Sequence, residues 1–274
     1  MLKLQGDKRL LWPTLLALAV LAVLIGLGNW QMQRGAWKEE LIQTIKLRST
    51  AVPLSPETWR ELQCERSDRV GIARSCDYTA VRLRGQFDHV SERHVFASGP
   101  GQQGGFGRPG YWIFTPFWLP DREVWTVVNR GFVPHDHKDA ATRAVGQVGG
   151  EVEIVGLIRT AERRRWFDGK NDRAGNVWYV RDPFELFAAW KEDAPLELNR
   201  RAVGGPLDPG SFYVDQLAPV PPGGLPRPVA ARVDLPNRHL EYAMTWYGLA
   251  ATLIGVYLAF ARRRLRGGTS TATP

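Results

Sequence analysis

Several groups of residues in this 274-residue chain have the types and spacing to do chemistry. His239 follows Asn237 and Arg238, and on a helix Tyr242, Ala243 and Trp246 fall on its stripe at i+3, i+4 and i+7. An imidazole beside an apolar, aromatic face with a cation adjacent suits an iron-bearing amphipathic macrocycle. The nitrogen would meet the metal, the aromatics the ring, and the cation a carboxylate. It also suits an interfacial His in an ordinary aromatic belt, and on the residues alone that second reading leads. His135, Asp136, His137 and Asp139 resemble a metal cluster, but two imidazoles at i and i+2 need further converging ligands. A polar turn after a strand is the simpler account of them. Gly99, Gly101 and Gly104 satisfy G-x-G-x-x-G, yet Pro100 interrupts the run and no helical pattern follows, so they read as a loop. Cys64 and Cys76 are the only cysteines; a bridge between them would close a loop of about 13 residues and stabilise by roughly 3 kcal/mol. No C-x-x-C pair, G-x-S-x-G elbow or H-E-x-x-H helix is present to nominate redox or hydrolytic catalysis. With 2 Cys and 3 Met, the soft ligands of a copper(I) carrier are scarce.

Two apolar segments must position these groups. Residues 10–33 carry no charged side chain, and neither do residues 242–261. About 20 apolar residues at 1.5 Å each cross a ~30 Å hydrocarbon core. One charge at the middle of such a span costs roughly 2.5–3.5 kcal/mol on the insertion scale. Both read as transmembrane helices, over 10–29 and 242–261. The formal net charge is +8, and six of those charges lie at the two ends, in residues 1–33 and 262–274. A nucleic-acid interface needs its basic residues on one folded face, so this distribution argues for topology and against nucleic acid. Lys3, Lys8 and Arg9 before the first span and Arg262–Arg266 after the second place residues 1–9 and 262–274 in the cytoplasm. Residues 30–241 then form an extracytoplasmic domain. The first apolar run exceeds a signal peptide's and Gly28-Asn29-Trp30 offers no cleavage site, so an uncleaved anchor is expected. No Arg- and Ser-rich transit segment precedes it, which favours a bacterial inner membrane. Small residues four apart (Ala22 with Gly26, Gly248 with Thr252, Ala251 with Gly255) fit close helix packing, or are simply the common small residues of membrane helices.

Between the spans, Trp30, Trp37, Leu41 and Ile45 recur at helical spacing, so the first helix is expected to continue through Arg34–Arg48. Ser55-Pro56 reads as the start of a short helix ending near Leu62. Val81, Leu83, Gly85 and Phe87 alternate with Arg82, Arg84, Gln86 and Asp88, the pattern of a half-buried strand. Further strands are expected at 93–97, 111–119, 123–133, 151–159 and 177–181, a helix at 183–191, and a short strand at 212–214. The fold class is a membrane α+β protein: two transmembrane helices flank a mainly antiparallel β domain, a sheet or small barrel, with a few helices.

Three motifs in order carry a resemblance. Gly28-Asn29-Trp30-Gln31 with Arg34 and Trp37-Lys38, then Val128-Asn129-Arg130-Gly131-Phe132-Val133-Pro134, then Pro236-Asn237-Arg238-His239-Leu240 with Tyr242-Ala243 and Thr245-Trp246-Tyr247 are similar to signatures of the surfeit locus protein 1 family. Phe132 stands where many members carry Trp, and the Cys64–Cys76 segment looks like an insertion. The resemblance spans nearly the whole chain. It implies a non-enzymatic assembly factor for haem-copper respiratory oxidases, especially aa3-type cytochrome c oxidase, embedded in the lipid bilayer. It implies subunit I of that oxidase and other oxidase assembly factors as partners. Some members bind haem a and assist its placement, and His239 matches the family's candidate haem ligand. Around it, Arg34 or Arg238 would meet a propionate, and Trp30, Tyr242 and Trp246 would meet the ring. Asn129-Arg130-Gly131 is expected to end a strand, Gly131 permitting a bulge and Arg130 binding a carboxylate or carbonyls. Two alternatives stand beside haem delivery: a scaffold that clamps an oxidase intermediate or supercomplex without haem, and a membrane-anchored enzyme using the 135–139 turn.

Overall fold

The computed structural model describes residues 8–55, 58, 75–98, 108–193, 212–229 and 236–267. Cys64, the glycine run at 99, 101 and 104, and most of the helix expected after Ser55 lie outside the described residues. The chain divides into two compact units, one of residues 1–42 with 234–274 and one of residues 43–233.

The first unit is a helix pair. Helix α1 spans Lys8–Thr50, and the C-terminal helix, α3, spans His239–Gly267. Their most apolar windows have mean hydropathies of 2.5 and 1.5, and are almost wholly unburied by the protein itself. Leu16, Val23 and Val256 are among the exposed side chains. A core helix of a soluble protein would cover such a surface; here its apolar solvent is the bilayer. Helix α1 is continuous through the expected extension, and Pro13 falls in its first two turns, where few intrahelical bonds are lost.

The second unit is a closed sheet. Seven strands are described: β1 Ala80–Phe87, β2 Arg93–Ala97, β3 Gly110–Leu119, β4 Val124–Pro134, β5 Glu151–Thr160, β6 Val177–Trp178 and β7 Phe212–Ala218. Their order is β1-β5-β7-β4-β3-β2-β6, and β3 also pairs with β1, which closes a five-stranded barrel. Strand β3 shares one edge between two partners, residues 110–114 with β2 and Phe117–Trp118 with β1. Pairing is antiparallel except at β4–β7 and β2–β6. The alternation expected in β1 is present, with Val81 and Leu83 buried and Arg82 and Arg84 exposed. Val81, Leu83, Phe117, Val128, Ile154, Ile158, Phe212 and Val214 pack together as one core. Helix α2, Pro183–Asp193, buries Leu186, Phe187 and Trp190 in a second core with Trp112, Phe114, Trp178 and Tyr213.

Two strands differ from expectation. Strand β6 stops at Trp178, because the chain leaves the edge of β2 to enter α2, where the Asp182 carboxylate accepts the Phe184 N–H. Strand β7 continues to Ala218, well past Val214. Its polar residues Asp215 and Gln216 are buried between β4 and β5, and that breaks the apolar pattern a strand would show. The Asn129-Arg130-Gly131 motif lies within β4, three residues short of its end. The expected bulge is present: Phe132 pairs with Trp112 and Asn129 with Phe114, so Arg130 and Gly131 together oppose Ile113. Gly131 has φ +127°, and a Cβ there would lie 2.0 Å from the Arg227 carbonyl oxygen. Phe132 and Arg227 exchange both backbone bonds at 2.8 Å, which fixes that approach. Gly131→Ala should therefore destabilise the protein by about 3 kcal/mol or more, lowering the melting temperature of the detergent-solubilised chain by several degrees. An unchanged melting curve would contradict this account of the bulge.

Candidate functional site

Most of the residues singled out at the ends of the first and third motifs meet along the helix pair. On α1, Gly28, Gln31, Gly35 and Lys38 recur at steps of three, four and three, a single helical face. Gly28 is buried, and a Cβ there would come within 2.5 Å of the Tyr247 ring. The Tyr247 hydroxyl donates to the Asn29 side-chain oxygen at 2.7 Å. The Asn237 amide donates to the Gly35 carbonyl at 3.1 Å, and the Lys38 ammonium to the Pro236 carbonyl at 2.7 Å. A hydroxyl contact joins Thr14 and Tyr257 further along. The facing stripe of α3 is His239, Ala243, Tyr247 and Ala250, with both alanines buried. Of the small residues spaced four apart, Gly26, Gly248 and Gly255 have nothing within 4 Å of a built Cβ, so these three glycines do not make the contact between the helices.

His239 is partly buried, and its Nδ1 lies 2.7 Å from the side-chain oxygen of Gln31. A carboxamide oxygen only accepts, so Nδ1 is the donor in this contact and Nε2 lies outside it. One imidazole nitrogen, with its partner nitrogen held by an oxygen, is a donor that a haem iron could accept. Trp30, Arg34, Trp37, Arg238 and Tyr242 are exposed, and Trp246 is partly buried. Arg34 lies over the Trp37 ring at 4.6 Å. Sequence reading singled out His239 but not its pairing with Gln31; the stripe through Gly28, Gln31, Gly35 and Lys38 was the available signal.

The second motif does structural work in the barrel wall. Asn129 donates to the Asp215 carboxylate at 2.7 Å, and its own side-chain oxygen accepts the Gly131 N–H at 3.1 Å. Buried Arg130 donates to the Gly146 carbonyl, to the Gln147 side-chain oxygen at 2.8 Å and to His89 Nδ1 at 3.1 Å, and it lies 5.0 Å from the Phe87 ring centre. Its partners are thus carbonyl oxygens and an imidazole. Burial lowers its pKa to about 10. Pro134 ends β4 and leads into the turn at 135–139, where the His135 ring packs against Tyr111. Asp139 caps the following 3-10 helix by accepting the Ala141 N–H at 3.0 Å. Among the described residues, no three His, Cys, Asp or Glu side chains converge as a metal site. A buried network that sequence reading missed lies nearby: His94 donates to Glu92 at 2.8 Å, and Arg143 grips the same carboxylate with both terminal nitrogens. Cys76 is buried and disulfide-bonded; Cys64 lies outside the described residues.

A family profile described as the SURF1 family matches residues 18–251. Human Surfeit locus protein 1 is 34% identical over 277 residues, covering 97% of this chain and 81% of its own length. Surfeit locus protein 1 of Xenopus tropicalis is 33% identical, covering 86% and 71%. The SURF1-like protein of Drosophila melanogaster is 33% identical, covering 85% and 72%.

Two predictions come from these contacts. A Cβ built at Gly35 lies 3.2 Å from that of His239, close to disulfide range. The Gly35→Cys/His239→Cys chain should cross-link on mild oxidation, its two helix fragments staying joined after proteolysis until reduced. Gly26→Cys/His239→Cys should not, and equal cross-linking of both would refute the pairing. The second concerns His89, whose Nε2 donates to the Val148 carbonyl at 2.8 Å while Nδ1 accepts from Arg130. Burial and the Arg130 charge lower its pKa below the ordinary 6.5, against the raising effect of the Val148 bond. The fold thus favours neutral His89. That stability is whole above the unfolded-state value and is lost as pH falls through it towards the lower folded-state value. Denaturation midpoints should drop between about pH 7.5 and 5.5, and His89→Gln, which keeps one donor and one acceptor, should flatten that slope. Parallel slopes would remove His89 from the account.

Proposed function

The chain belongs to the SURF1 family, and from that premise we propose that it is a non-catalytic, membrane-anchored assembly factor for a haem-copper respiratory oxidase of the aa3 type. It holds haem a as cargo beside His239 and assists its placement into subunit I, together with other oxidase assembly factors. Both termini lie in the cytoplasm of a bacterium and the barrel outside its inner membrane, as the terminal charges suggest. The observation that carries the reading is the His239–Gln31 bond at 2.7 Å, which engages Nδ1 and leaves Nε2 outside the contact at the start of α3.

Each residue has a part in this reading. His239 would offer a nitrogen to the iron, and Gln31 would hold its ring orientation. Arg34 and Arg238 are exposed cations able to pair with propionates. Trp30, Tyr242 and Trp246 offer aromatic faces. The isoprenoid tail of haem a loses roughly 0.8 kcal/mol per CH₂ if moved from lipid to water, which favours keeping the cargo at a membrane helix pair. A single axial ligand also suits a carrier that must release what it holds.

A second reading, a scaffold that clamps an oxidase intermediate without haem, has its own support. Gly28, Asn29, Gly35, Lys38, Asn237 and Tyr247 are engaged in joining α1 to α3. The test is the pyridine-haemochrome spectrum of the chain purified from membranes of cells that make haem a. Wild type should carry a haem a band, His239→Ala should lose most of it, and Gln31→Ala should weaken haem affinity by about 10–100-fold, as orienting partners of metal ligands do. A wild type free of haem that still co-purifies with subunit I would favour the scaffold.

A further inference from the structure

The connection between β5 and β6 carries Arg163-Arg164-Arg165-Trp166-Phe167. Trp166 is 95% exposed and Phe167 60% exposed, and the two rings sit edge to face, 5.4 Å between centres. Hydrogen bonds brace this turn. Arg164 grips Glu185 of α2 through Nε at 3.0 Å and a second nitrogen at 2.6 Å, and also donates to the Gly169 carbonyl at 2.7 Å and to Asn171 at 3.0 Å. Asn171 donates in turn to Glu185 at 2.7 Å. The Asp168 carboxylate accepts the Arg165 N–H, and the Asp168 N–H donates to the Arg165 carbonyl at 3.1 Å. A braced turn therefore holds two large rings out in water, where an unconstrained loop would fold them back onto the protein.

The charges around the rings select an occupant. Arg163, Arg165 and Lys170 are exposed beside them. The acid within the turn, Asp168, is partly buried and engaged by backbone. The Arg165 guanidinium lies 5.7 Å from the Phe167 ring centre. Trp and Phe flanked by cations match the water–lipid boundary, where the rings enter the headgroup region and the cations meet phosphates. We propose that the Trp166–Phe167 turn docks the barrel on the surface of an anionic bilayer, as an attachment separate from the two spans. The proposal rests on the reading of α1 and α3 as membrane spans. Chain tethering to those spans keeps the barrel at a high effective concentration near lipid, so a two-ring contact suffices.

The full chain in nanodiscs tests this. Cys76 is disulfide-bonded and no free cysteine is present among the described residues, so Lys170→Cys supplies the thiol for a nitroxide. Arg163 and Arg165 are kept. In phosphatidylglycerol discs the nitroxide should be at least about threefold less accessible to a water-soluble nickel chelate than in phosphatidylcholine discs, with oxygen accessibility raised. Adding Trp166→Ala and Phe167→Ala should restore chelate access without moving the melting temperature, since both side chains are exposed. Equal chelate access in both lipids and in the triple variant would overturn the proposal, as would protection that appears only when purified oxidase is added. A chain that fails to enter nanodiscs at all would overturn the spans themselves, a failure told apart by its absence from the disc fraction.

Discussion

Asp215 is fully buried in the barrel wall, and three strands depend on how its charge is met. Asn129 of β4 donates to one oxygen at 2.7 Å, and Arg159 of β5 approaches the other at 3.1 Å. A buried carboxylate without such partners is strongly destabilising. Strand β7 can therefore occupy its place between β4 and β5 only in the register that brings these groups together. Asn129 then turns its second function, the side-chain oxygen, to the Gly131 N–H, and the bulge follows. The bulge allows the Arg227 backbone to approach and lets Arg130 reach the carbonyls beyond. Asn-Arg-Gly is thus one structural device: an amide that joins two strands, a cation that ties a loop to the wall, and a residue without a side chain where two backbones meet.

The helix pair is organised by a different constraint. Apolar side chains gain little from each other in lipid, so association relies on close packing and on hydrogen bonds. Gly28 under the Tyr247 ring supplies the first, and the Asn29, Gln31, Gly35 and Lys38 contacts supply the second. The polar contacts gather towards the ends of the apolar windows, where water or headgroups can serve the remaining donors. His239 belongs to this lock through Nδ1 and retains a nitrogen outside it. One residue can therefore join the helices and also face a ligand, and that overlap is why haem delivery and clamping are not mutually exclusive chemistries.

The braced Trp166–Phe167 turn is a third use of the same vocabulary. Arg164 is committed to Glu185 and the turn's own carbonyl, while its neighbours Arg163 and Arg165 stay at the surface. Adjacent arginines thus take different tasks, Arg164 holding the shape and Arg165 lying beside the Phe167 ring.

Much of this protein was legible in the chain alone. Two charge-free apolar runs with cations at their outer ends specify membrane helices because hydrocarbon cannot solvate a charge. Alternation in β1 and the turn residues between runs specify strands because side chains leave a pleat on opposite faces. The three motifs specified the family. Other features were decided only in three dimensions. Barrel closure depends on β3 lending one edge to two strands, which no local pattern records. Strand β7 was underestimated because its buried Asp215 and Gln216 look like a loop until their partners arrive from β4 and β5. Gly28 and Gly35 make the helix contact while Gly26, Gly248 and Gly255 do not, since spacing gives a face of a helix but not which face meets another. The sequence determined which residues must leave water; the tertiary structure decided which distant groups satisfy the polar atoms that leave with them, because a hydrogen bond needs a partner at about 3 Å and a linear chain does not encode that distance.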